Sequence, residues 1–303
     1  MQILITGGTG FIGRNLCKEL VERDHTVTAM ARSKPTESLP AGVELVTGDV
    51  REPTDVEDAI EGQDAVYNLV ALSPLFKAPR GAHDAVHRQG TQHLIEAATQ
   101  AGVDRFVQMS ALGADPNGTT EYLRAKGEAE AIVKASDLDW TIVRPSVVFG
   151  DGAEFVDFTK WVSFPPMLSG LWWPYITPLP GARARFEPIW SEDLVGLLAE
   201  IIESAEHNEQ TYEFGGPETM TLADIVRLIH QAEHKSARIL PIPTVLAKIP
   251  LAIGQHIPGF PLGSDQGRSL DIDNVTTSND VDRFGRDPAE LESLRAYLGG
   301  NKR

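Results

Sequence analysis

The chain has 303 residues, of which 42% are hydrophobic, and this length suffices for a large core or for one core with a smaller lobe. Its formal net charge of -16 argues against a nucleic-acid partner, because phosphates would be repelled. It contains no run of 18 apolar residues and starts directly in a strand pattern, so we expect neither a membrane-spanning helix nor a secretory signal. The single cysteine, Cys17, excludes an internal disulfide and fits a reducing, cytoplasmic location.

The distribution of charge leaves two environments open. Acidic residues are spread along the whole chain, and nine of the 27 basic residues are lysine. An evenly acidic, lysine-poor surface is typical of a halophilic protein, because net charge maintains solubility in a high-salt cytoplasm. An ordinary acidic protein has the same composition, and composition alone does not separate the two.

The first strand pattern leads directly into a glycine-rich turn, Thr6-Gly7-Gly8-Thr9-Gly10-Phe11-Ile12-Gly13. Gly7 would allow the tight turn, Gly10 a close approach of the backbone to phosphates, and Gly13 close packing of the following helix. That helix would direct its free N–H groups and the positive end of its dipole at the anion. The turn therefore predicts a dinucleotide site. The residues expected to contact the nucleotide here are Gly7, Thr9, Gly10, Phe11, Ile12 and Gly13.

Beyond this turn, strand and helix patterns alternate. The predicted strands are Thr26–Ala31, Val43–Val46, Ala65–Val70, Arg105–Met109 and Trp140–Val143. The predicted helices are 11–22, 54–61, 83–101 and 121–135. This alternation predicts right-handed crossovers and an α/β, doubly wound parallel Rossmann sheet, in which ligands lie at the carboxyl ends of the strands.

The end of the second predicted strand bears on the choice of cofactor. An acidic residue there would accept hydrogen bonds from the ribose hydroxyls of NAD, whereas an arginine suits the 2′-phosphate of NADP. This chain has Arg32-Ser33-Lys34 at that place, and two cations with a hydroxyl can form charge-assisted hydrogen bonds to a phosphate. The segment favours NADP(H) over NAD(H); the alternative is a solvated basic loop.

The candidate catalytic residues follow the fifth strand. Tyr122 and Lys126 are four residues apart on one predicted helix, which places both side chains on one face. A nearby ammonium would favour the phenolate and bring the tyrosine pKa closer to neutral, so that Tyr122 could exchange a proton with a carbonyl or alcohol oxygen. Lys126 could also hold the nicotinamide ribose, and Ser110 could bind the same substrate oxygen as Tyr122. The alternative is a chance spacing in an ordinary helix.

Past residue 150 the composition and the pattern of elements change, which predicts a smaller C-terminal lobe. The expected boundaries place the dinucleotide domain at 1–152, completed by about 186–214, and the lobe at 153–185 and 215–303. Residues 161–180 are aromatic and almost uncharged, and their Trp172-Trp173 pair allows three readings: lobe core, the wall of an apolar substrate pocket, or a membrane-interface anchor.

Other polar residues give weaker signals. His83 with His87, and His230 with His234, have spacings that could bind a metal, but no third ligand is suggested nearby, so we predict no metal site and read them as helix-surface histidines. Glu187 could face the substrate or pair at the surface.

Several segments together resemble an atypical or extended short-chain dehydrogenase/reductase, of the NAD-dependent epimerase/dehydratase-like kind. They are the glycine turn, Gly48-Asp49-Val50, Asn68-Leu69-Val70-Ala71, Gly90-Thr91, Arg144-Pro145-Ser146-Val147-Val148-Phe149-Gly150, Phe186–Asp193 and Phe214-Gly215-Gly216-Pro217. The resemblance implies that the segment that reads the adenine ring, the loop after the fourth strand and the loop beside the nicotinamide contribute further cofactor contacts. These implied contacts are Asp49, Val50, Leu69, Val70, Ala71, Lys126, Pro145, Ser146, Val147 and Val148.

Within this superfamily the chain is most similar to the branch that contains the nucleotide-binding accessory subunit of respiratory complex I. Ser110-Ala111-Leu112-Gly113-Ala114 and the tail Asp271-Ile272-Asp273-Asn274-Val275 with Phe284-Gly285 carry this similarity. The leading expectation is an NADP(H)-dependent oxidoreductase that transfers hydride to or from a carbonyl or carbinol carbon. One option for its small-molecule substrate is an apolar compound. The alternatives are a non-catalytic accessory subunit of a membrane respiratory complex and a nucleoside-diphosphate-sugar epimerase or dehydratase. The resemblance also allows peripheral membrane association and a homodimer.

Overall fold

The computed structural model describes residues 1–35, 38–161, 175–235, 237–246, 263–269 and 272–300. The chain divides into two compact units. The N-terminal unit comprises Met1–Leu72, Ala78–Pro145 and Ser191–Phe214. The C-terminal unit comprises Ser73–Lys77, Ser146–Trp190 and Gly215–Arg303.

These divisions differ from the expected boundaries at 152 and about 186. The sixth strand ends at Pro145, and the next hydroxyl, that of Ser146, is hydrogen-bonded to Asn274 within the C-terminal unit. The chain returns to the N-terminal unit only at Ser191, where a long helix begins. The divisions therefore follow hydrogen bonding and packing, which the composition change near residue 150 only approximates.

Seven parallel strands form the sheet of the N-terminal unit, numbered along the whole chain. They are β1 (Gln2–Thr6), β2 (Thr26–Ala31), β3 (Val43–Thr47), β4 (Ala65–Asn68), β5 (Arg105–Met109), β6 (Asp139–Pro145) and β11 (Gln210–Phe214). Their spatial order is β11-β6-β5-β4-β1-β2-β3, so the direction of winding reverses between β1 and β4. Every neighbouring pair is parallel, and the predicted doubly wound Rossmann sheet is confirmed.

The helices of this unit connect successive strands. They are α1 (Phe11–Glu22), α2 (Pro53–Ile60), a π-helical turn (Asp84–Gln89), α3 (Gly90–Ala101), α4 (Glu121–Lys134), α6 (Ser191–Glu203) and a 3₁₀ turn (Ala205–His207). The pattern over 83–101 predicted a single helix, whereas its first part is π-helical. Hydrophobic periodicity does not distinguish these forms over so short a segment.

Strands β1, β4 and β5 are buried along almost their whole length, because helices cover both faces of the sheet. Leu4, Val66, Phe106 and Ile142 lie in one core cluster with residues of α2 and α3. The edge strand β3 is largely half-exposed. This packing fixes the carboxyl ends of the central strands, where the candidate site lies.

The C-terminal unit is built from short elements. They are β7 (Val148–Phe149), α5 (Glu154–Trp161), β8 (Tyr175–Pro180), β9 (Arg185–Phe186), β10 (Ile189–Trp190), β12 (Met220–Thr221), α7 (Leu222–Ala232), β13 (Ala237–Ile242), α8 (Ser264–Ser269), 3₁₀ turns at Asp280–Phe284 and Pro288–Glu290, and α9 (Leu294–Leu298). The strands form three two-stranded pairs. The core of the unit gathers around the buried face of α7, whose N-cap Thr221 accepts a hydrogen bond from the N–H of Asp224.

Two side chains organise the loops of this unit. The Asn274 side-chain oxygen accepts the backbone N–H of Val147 at 2.8 Å, and Ser146 hydrogen-bonds to the same residue. The carboxylate of Glu187 accepts hydrogen bonds from the backbone N–H and the hydroxyl of Thr276, at 2.9 and 2.7 Å. The carboxylate of Glu187 is therefore paired within its own unit, which agrees with the second of the two alternatives that the sequence left open.

The Trp172-Trp173 pair lies outside the described residues, as do residues 247–262. Of the helices in the described parts of the chain, none combines the length and apolar character needed to cross a bilayer.

Candidate functional site

The glycine turn joins β1 to α1 at the carboxyl edge of the sheet. Gly7 has φ of +75°, a conformation that favours glycine, and a Cβ there would lie 3.0 Å from the backbone of Leu69 and Val70. The loop after β4 therefore packs directly on the turn. Gly10 is exposed and donates its N–H to the carbonyl of Gly7 at 2.9 Å, and a Cβ on Gly10 would lie 3.2 Å from that carbonyl oxygen.

The start of α1 has the features of an anion site. The first intrahelical hydrogen bond runs from Arg14 to the Gly10 carbonyl, so the N–H groups of Phe11, Ile12 and Gly13 stand ahead of the helical ladder. The first turn of α1, all of it in the described part of the chain, carries no acidic side chain. A Cβ on Gly13 would lie 2.2 Å from the Gly7 carbonyl oxygen, so only glycine permits this approach. The arrangement fits a pyrophosphate.

The basic segment after β2 lies where the adenosine ribose of a dinucleotide is expected. Arg32, Ser33 and Lys34 are all exposed. Asp49 follows β3, and its carboxylate is bound by the guanidinium of Arg51. This hydrogen bond holds the pKa of Asp49 below its usual range, with a smaller contribution from the charge of Arg32. The carboxylate that could repel a 2′-phosphate is therefore neutralised by Arg51.

A buried polar network fixes the loop that follows β4. Asn68 accepts a hydrogen bond from the Thr6 hydroxyl at 2.9 Å and donates to Thr91 and Gln108 at 3.1 and 3.0 Å. It thereby ties β1, β5 and α3 to the last residue of β4. Leu69 and Val70 are half-buried beyond it, and Ala71 is exposed. The backbone of Leu69 and Val70 lies against Gly7 of the turn, and the role of Leu69, Val70 and Ala71 as cofactor contacts stays a prediction.

The nicotinamide-loop residues divide between the units. Pro145 ends β6 in the N-terminal unit, while Ser146, Val147 and Val148 belong to the C-terminal unit. The Ser146 hydroxyl and the Val147 N–H donate hydrogen bonds to Asn274, and Val148 lies in β7, which pairs with β10. Within their own unit, these polar groups serve loop structure.

Lys126 lies in α4 and is almost completely buried, at 1% exposed. Its ammonium donates to the carbonyl of Met109, the last residue of β5, at 2.8 Å. Burial lowers the pKa of Lys126 to about 8, and the charge of Glu130 partly opposes this shift. A cation is thus held at the carboxyl end of β5. The glycine turn follows β1 at the same edge of the sheet.

Tyr122 lies one turn before Lys126, on the N-terminal turn of α4. Its ring packs edge-on against those of His83 and His87, with centroids 5.7 and 5.5 Å apart. Burial raises the pKa of Tyr122 to about 12. We expected the ammonium of Lys126 to shift this pKa in the opposite direction, and that expectation is wrong for this conformation. The cause is desolvation of the phenolate, while the ammonium of Lys126 is engaged by the Met109 carbonyl.

Ser110 follows β5 directly and is buried, but its hydroxyl is not directed at Tyr122 by any hydrogen bond among the described residues. It donates to the carboxylate of Glu130 at 2.6 Å. The same carboxylate receives Nε and Nη2 of Arg144 at 2.8 and 2.6 Å, and Arg144 also pairs with Glu213 at 3.6 Å. Ser110 is therefore part of a buried ionic network.

Sequence reasoning missed Glu130 and misread the histidines. Tyr122, Lys126 and Glu130 repeat every four residues, so the helical spacing that joined the first two also indicated the third. His83 and His87 are buried beneath Tyr122, whereas we expected helix-surface positions. Over the described residues, no group of three or more His, Cys, Asp or Glu side chains is placed to bind a metal.

Comparison with known proteins agrees with this geometry. Residues 7–157 match the family described as NAD(P)H-binding. The 40 kDa subunit of mitochondrial NADH-ubiquinone oxidoreductase from Neurospora crassa is 26% identical over 251 residues, 80% of this chain and 63% of the relative. A 2-alkyl-3-oxoalkanoate reductase from Stenotrophomonas maltophilia is 35% identical over 176 residues, 50% of this chain and 52% of the relative. This chain thus spans less than two thirds of either relative's length.

A solved structure extends the likeness over almost the whole chain. A nucleoside-diphosphate-sugar epimerase from Staphylococcus aureus superposes with a TM-score of 0.73 at 18% identity, covering 98% of this chain and 99% of that one. At this identity the likeness concerns the fold. Together, the family match over residues 7–157, the glycine turn and the parallel sheet show that the chain is an NAD(P)-binding protein with the epimerase/dehydratase-like short-chain dehydrogenase/reductase fold.

Proposed function

We propose that this chain is an NADP(H)-dependent oxidoreductase that transfers hydride to or from a carbonyl or carbinol carbon. The observation that carries the proposal is the half-buried Tyr122 and the buried Lys126 on consecutive turns of α4, beside the end of β5. A buried ammonium is costly, and a tyrosine hydroxyl with a nearby ammonium can supply or accept the proton that accompanies a hydride.

The residues fit a dinucleotide phosphate. The exposed Gly10 and the start of α1 would hold the pyrophosphate, and Arg32, Ser33 and Lys34 would hold a 2′-phosphate. A bound nicotinamide supplies or accepts the hydride. Tyr122 would give its proton to the substrate oxygen in reduction or take it in oxidation, and Lys126 would hold the ribose and stabilise negative charge on the phenol oxygen.

Two other functions remain as alternatives. The likeness to a respiratory-complex subunit supports a non-catalytic accessory role with peripheral membrane association, and the phenol pKa of about 12 would suit an idle site. The likeness to the epimerase structure supports action on a nucleoside-diphosphate sugar. The proposal further includes an apolar substrate. The aromatic, almost uncharged sequence around Trp172-Trp173 supports it as the candidate wall of an apolar pocket. A homodimer and a cytoplasmic location also stay predictions.

Fluorescence titration with NADPH and NADH, in molar salt, tests the cofactor. We expect the wild type to prefer NADPH and Arg32→Ala to lose that preference by roughly tenfold, as a lost charge-assisted hydrogen bond implies. Arg183→Ala, an exposed arginine of the C-terminal unit, is the matched control. Equal affinity of the wild type for both nucleotides would contradict the assignment.

Turnover of a panel of ketones, quinones and sugar nucleotides then tests the reaction. Tyr122→Phe keeps the ring packed on the histidines and removes only the hydroxyl, so we expect it to abolish turnover while leaving NADPH affinity unchanged. Tight nucleotide binding without turnover, together with co-purification with membrane proteins, would identify the accessory role instead.

A further inference from the structure

His83, which immediately precedes the π-helical turn, and His87 within that turn form one wall around Tyr122. The rings of His83 and His87 are stacked 5.6 Å apart and nearly parallel, and both meet the tyrosine ring edge-on. His87 is 2% exposed and His83 is 5% exposed. π-Helical turns are rare and occur often at functional sites, and regular α-helical geometry would rotate these side chains away from this position.

The hydrogen bonding of His87 defines its proton. Its Nε2 accepts the backbone N–H of Leu72 at 3.4 Å. Burial, followed by the positive charges of Lys126 and His83, lowers the pKa of His87 well below 6.5, so the ring is neutral. In a neutral imidazole with an accepting Nε2, the proton is on Nδ1. This Nδ1 is buried and has no partner among the described residues, which leaves a hydrogen-bond donor beside Tyr122 to be satisfied.

The hydroxyl of Ser110 does not provide an equivalent donor. Its single hydrogen is directed at Glu130, whose carboxylate also receives two hydrogen bonds from Arg144. An ionised carboxylate only accepts, so the serine must be the donor in this pair. Releasing that hydrogen to a substrate would leave a buried carboxylate oxygen with one partner fewer.

We propose that His87, rather than Ser110, is the second hydrogen-bond donor to the substrate oxygen at Tyr122, and that the site takes a ketone or quinone in the direction of reduction. Two donors, the Tyr122 hydroxyl and the His87 Nδ1–H, match the two lone pairs of a carbonyl oxygen; an alcohol oxygen would place its own hydrogen against one of them. This inference rests on the proposed function.

The balance of the step follows from these roles. The carbonyl carbon gains a hydride from a reduced nicotinamide nucleotide, the C=O bond becomes a single bond, and its electron pair moves to oxygen. That oxygen takes the Tyr122 proton, and water then reprotonates the phenolate. His87 keeps its proton throughout and stabilises the developing negative charge through its hydrogen bond.

Reduction of ethyl acetoacetate by NADPH tests the assignment. His87→Phe keeps a ring and removes both nitrogens, whereas His87→Asn keeps an amide N–H close to the Nδ1 position. We expect kcat/KM to fall roughly tenfold in His87→Phe and to be largely retained in His87→Asn, with unchanged NADPH affinity. His230→Phe, the same change at a buried histidine of the C-terminal unit, is the control for folding. Wild-type kcat/KM in His87→Phe, or equal losses in the Phe and Asn variants, would overturn the inference.

A binding measurement separates this inference from the proposed function. In ¹⁵N-labelled protein loaded with NADP⁺, the His87 Nδ1–H resonance, assigned from its loss in His87→Phe, is followed while ethyl acetoacetate is added. A saturable shift in this non-reacting complex, with no reduction of ethyl acetoacetate by NADPH in the kinetic assay, would support the His87 site and refute the oxidoreductase. Turnover with no shift would refute the His87 site and leave the oxidoreductase standing.

Discussion

At the scale of single residues, the candidate site depends on charged groups that the fold removes from water. Lys126 keeps one hydrogen bond to a carbonyl and the charge of Glu130 on the next helical turn, and burial still lowers its pKa to about 8. The spacing of Tyr122 and Lys126 was visible in the sequence, but the direction in which each pKa moves depends on burial. The prediction that His83 and His87 lie on a helix surface is wrong, because four-residue spacing does not indicate which face of a helix is buried.

The depressed pKa of Lys126 predicts a rise of stability with pH. The unfolded chain keeps the lysine proton up to pH 10.5, whereas the folded protein releases it near pH 8. Between these values the unfolded state binds more protons, so the free energy of unfolding increases with pH. We expect urea denaturation from pH 7.5 to 9.5 to show this rise in wild type and not in Lys126→Met. Lys134→Met, at a half-exposed position of the same helix, should retain the rise; parallel curves for all three would contradict the burial of Lys126.

At the scale of elements, α4 is the helix that assembles the site. Its N-cap Thr120 accepts the N–H of Leu123, and a Cβ on Gly127 would lie 2.3 Å from the backbone of Asp115, so the helix is seated directly on the preceding turn. Its buried face carries Lys126 toward the end of β5 and Glu130 toward Arg144 of β6. The sequence predicted the helix and its first two functional side chains, and the strand partners of Glu130 became apparent only when β5, β6 and α4 were packed together.

Glu130 should contribute far more to stability than an exposed glutamate of the same helix. Glu130→Ala removes two hydrogen bonds from the guanidinium of Arg144, which keeps its pair with Glu213 at 3.6 Å, and takes the acceptor from Ser110. We expect a loss of about 3 kcal/mol in the free energy of unfolding, as is usual when one partner of a buried ion pair is removed. Glu128→Ala, which breaks a half-exposed pair with Arg88, should cost less than about 1 kcal/mol. Equal losses in chemical denaturation would show that the buried network is not the stabilising feature.

At the scale of the whole molecule, the net charge of -16 means that the excess carboxylates repel one another. Each unit has its own apolar core, so neither depends on surface ion pairs for its main driving force. The ion pairs of the described residues are mostly exposed, and such pairs contribute little individually. Salt should therefore act chiefly by screening repulsion.

Thermal unfolding in KCl tests the halophilic reading. We expect the melting temperature to rise from 0.1 M to molar KCl, because the screening length shortens from about 10 to about 3 Å over this range. Glucose at matched osmolality is the control for solvent exclusion. A melting temperature that does not change with KCl would identify an ordinary acidic protein.

The sequence by itself determined the glycine turn, the alternation of strands and helices, the parallel sheet, and the candidacy of Tyr122, Lys126 and the basic segment Arg32–Lys34. These follow from local periodicity, backbone conformation and residue type, which neighbouring residues fix. Only the tertiary structure decided that Ser110 is bound to Glu130, that His87 lies against Tyr122, and that burial raises one pKa and lowers another. Those outcomes depend on desolvation and on partners distant in sequence, which come together only when the chain is packed.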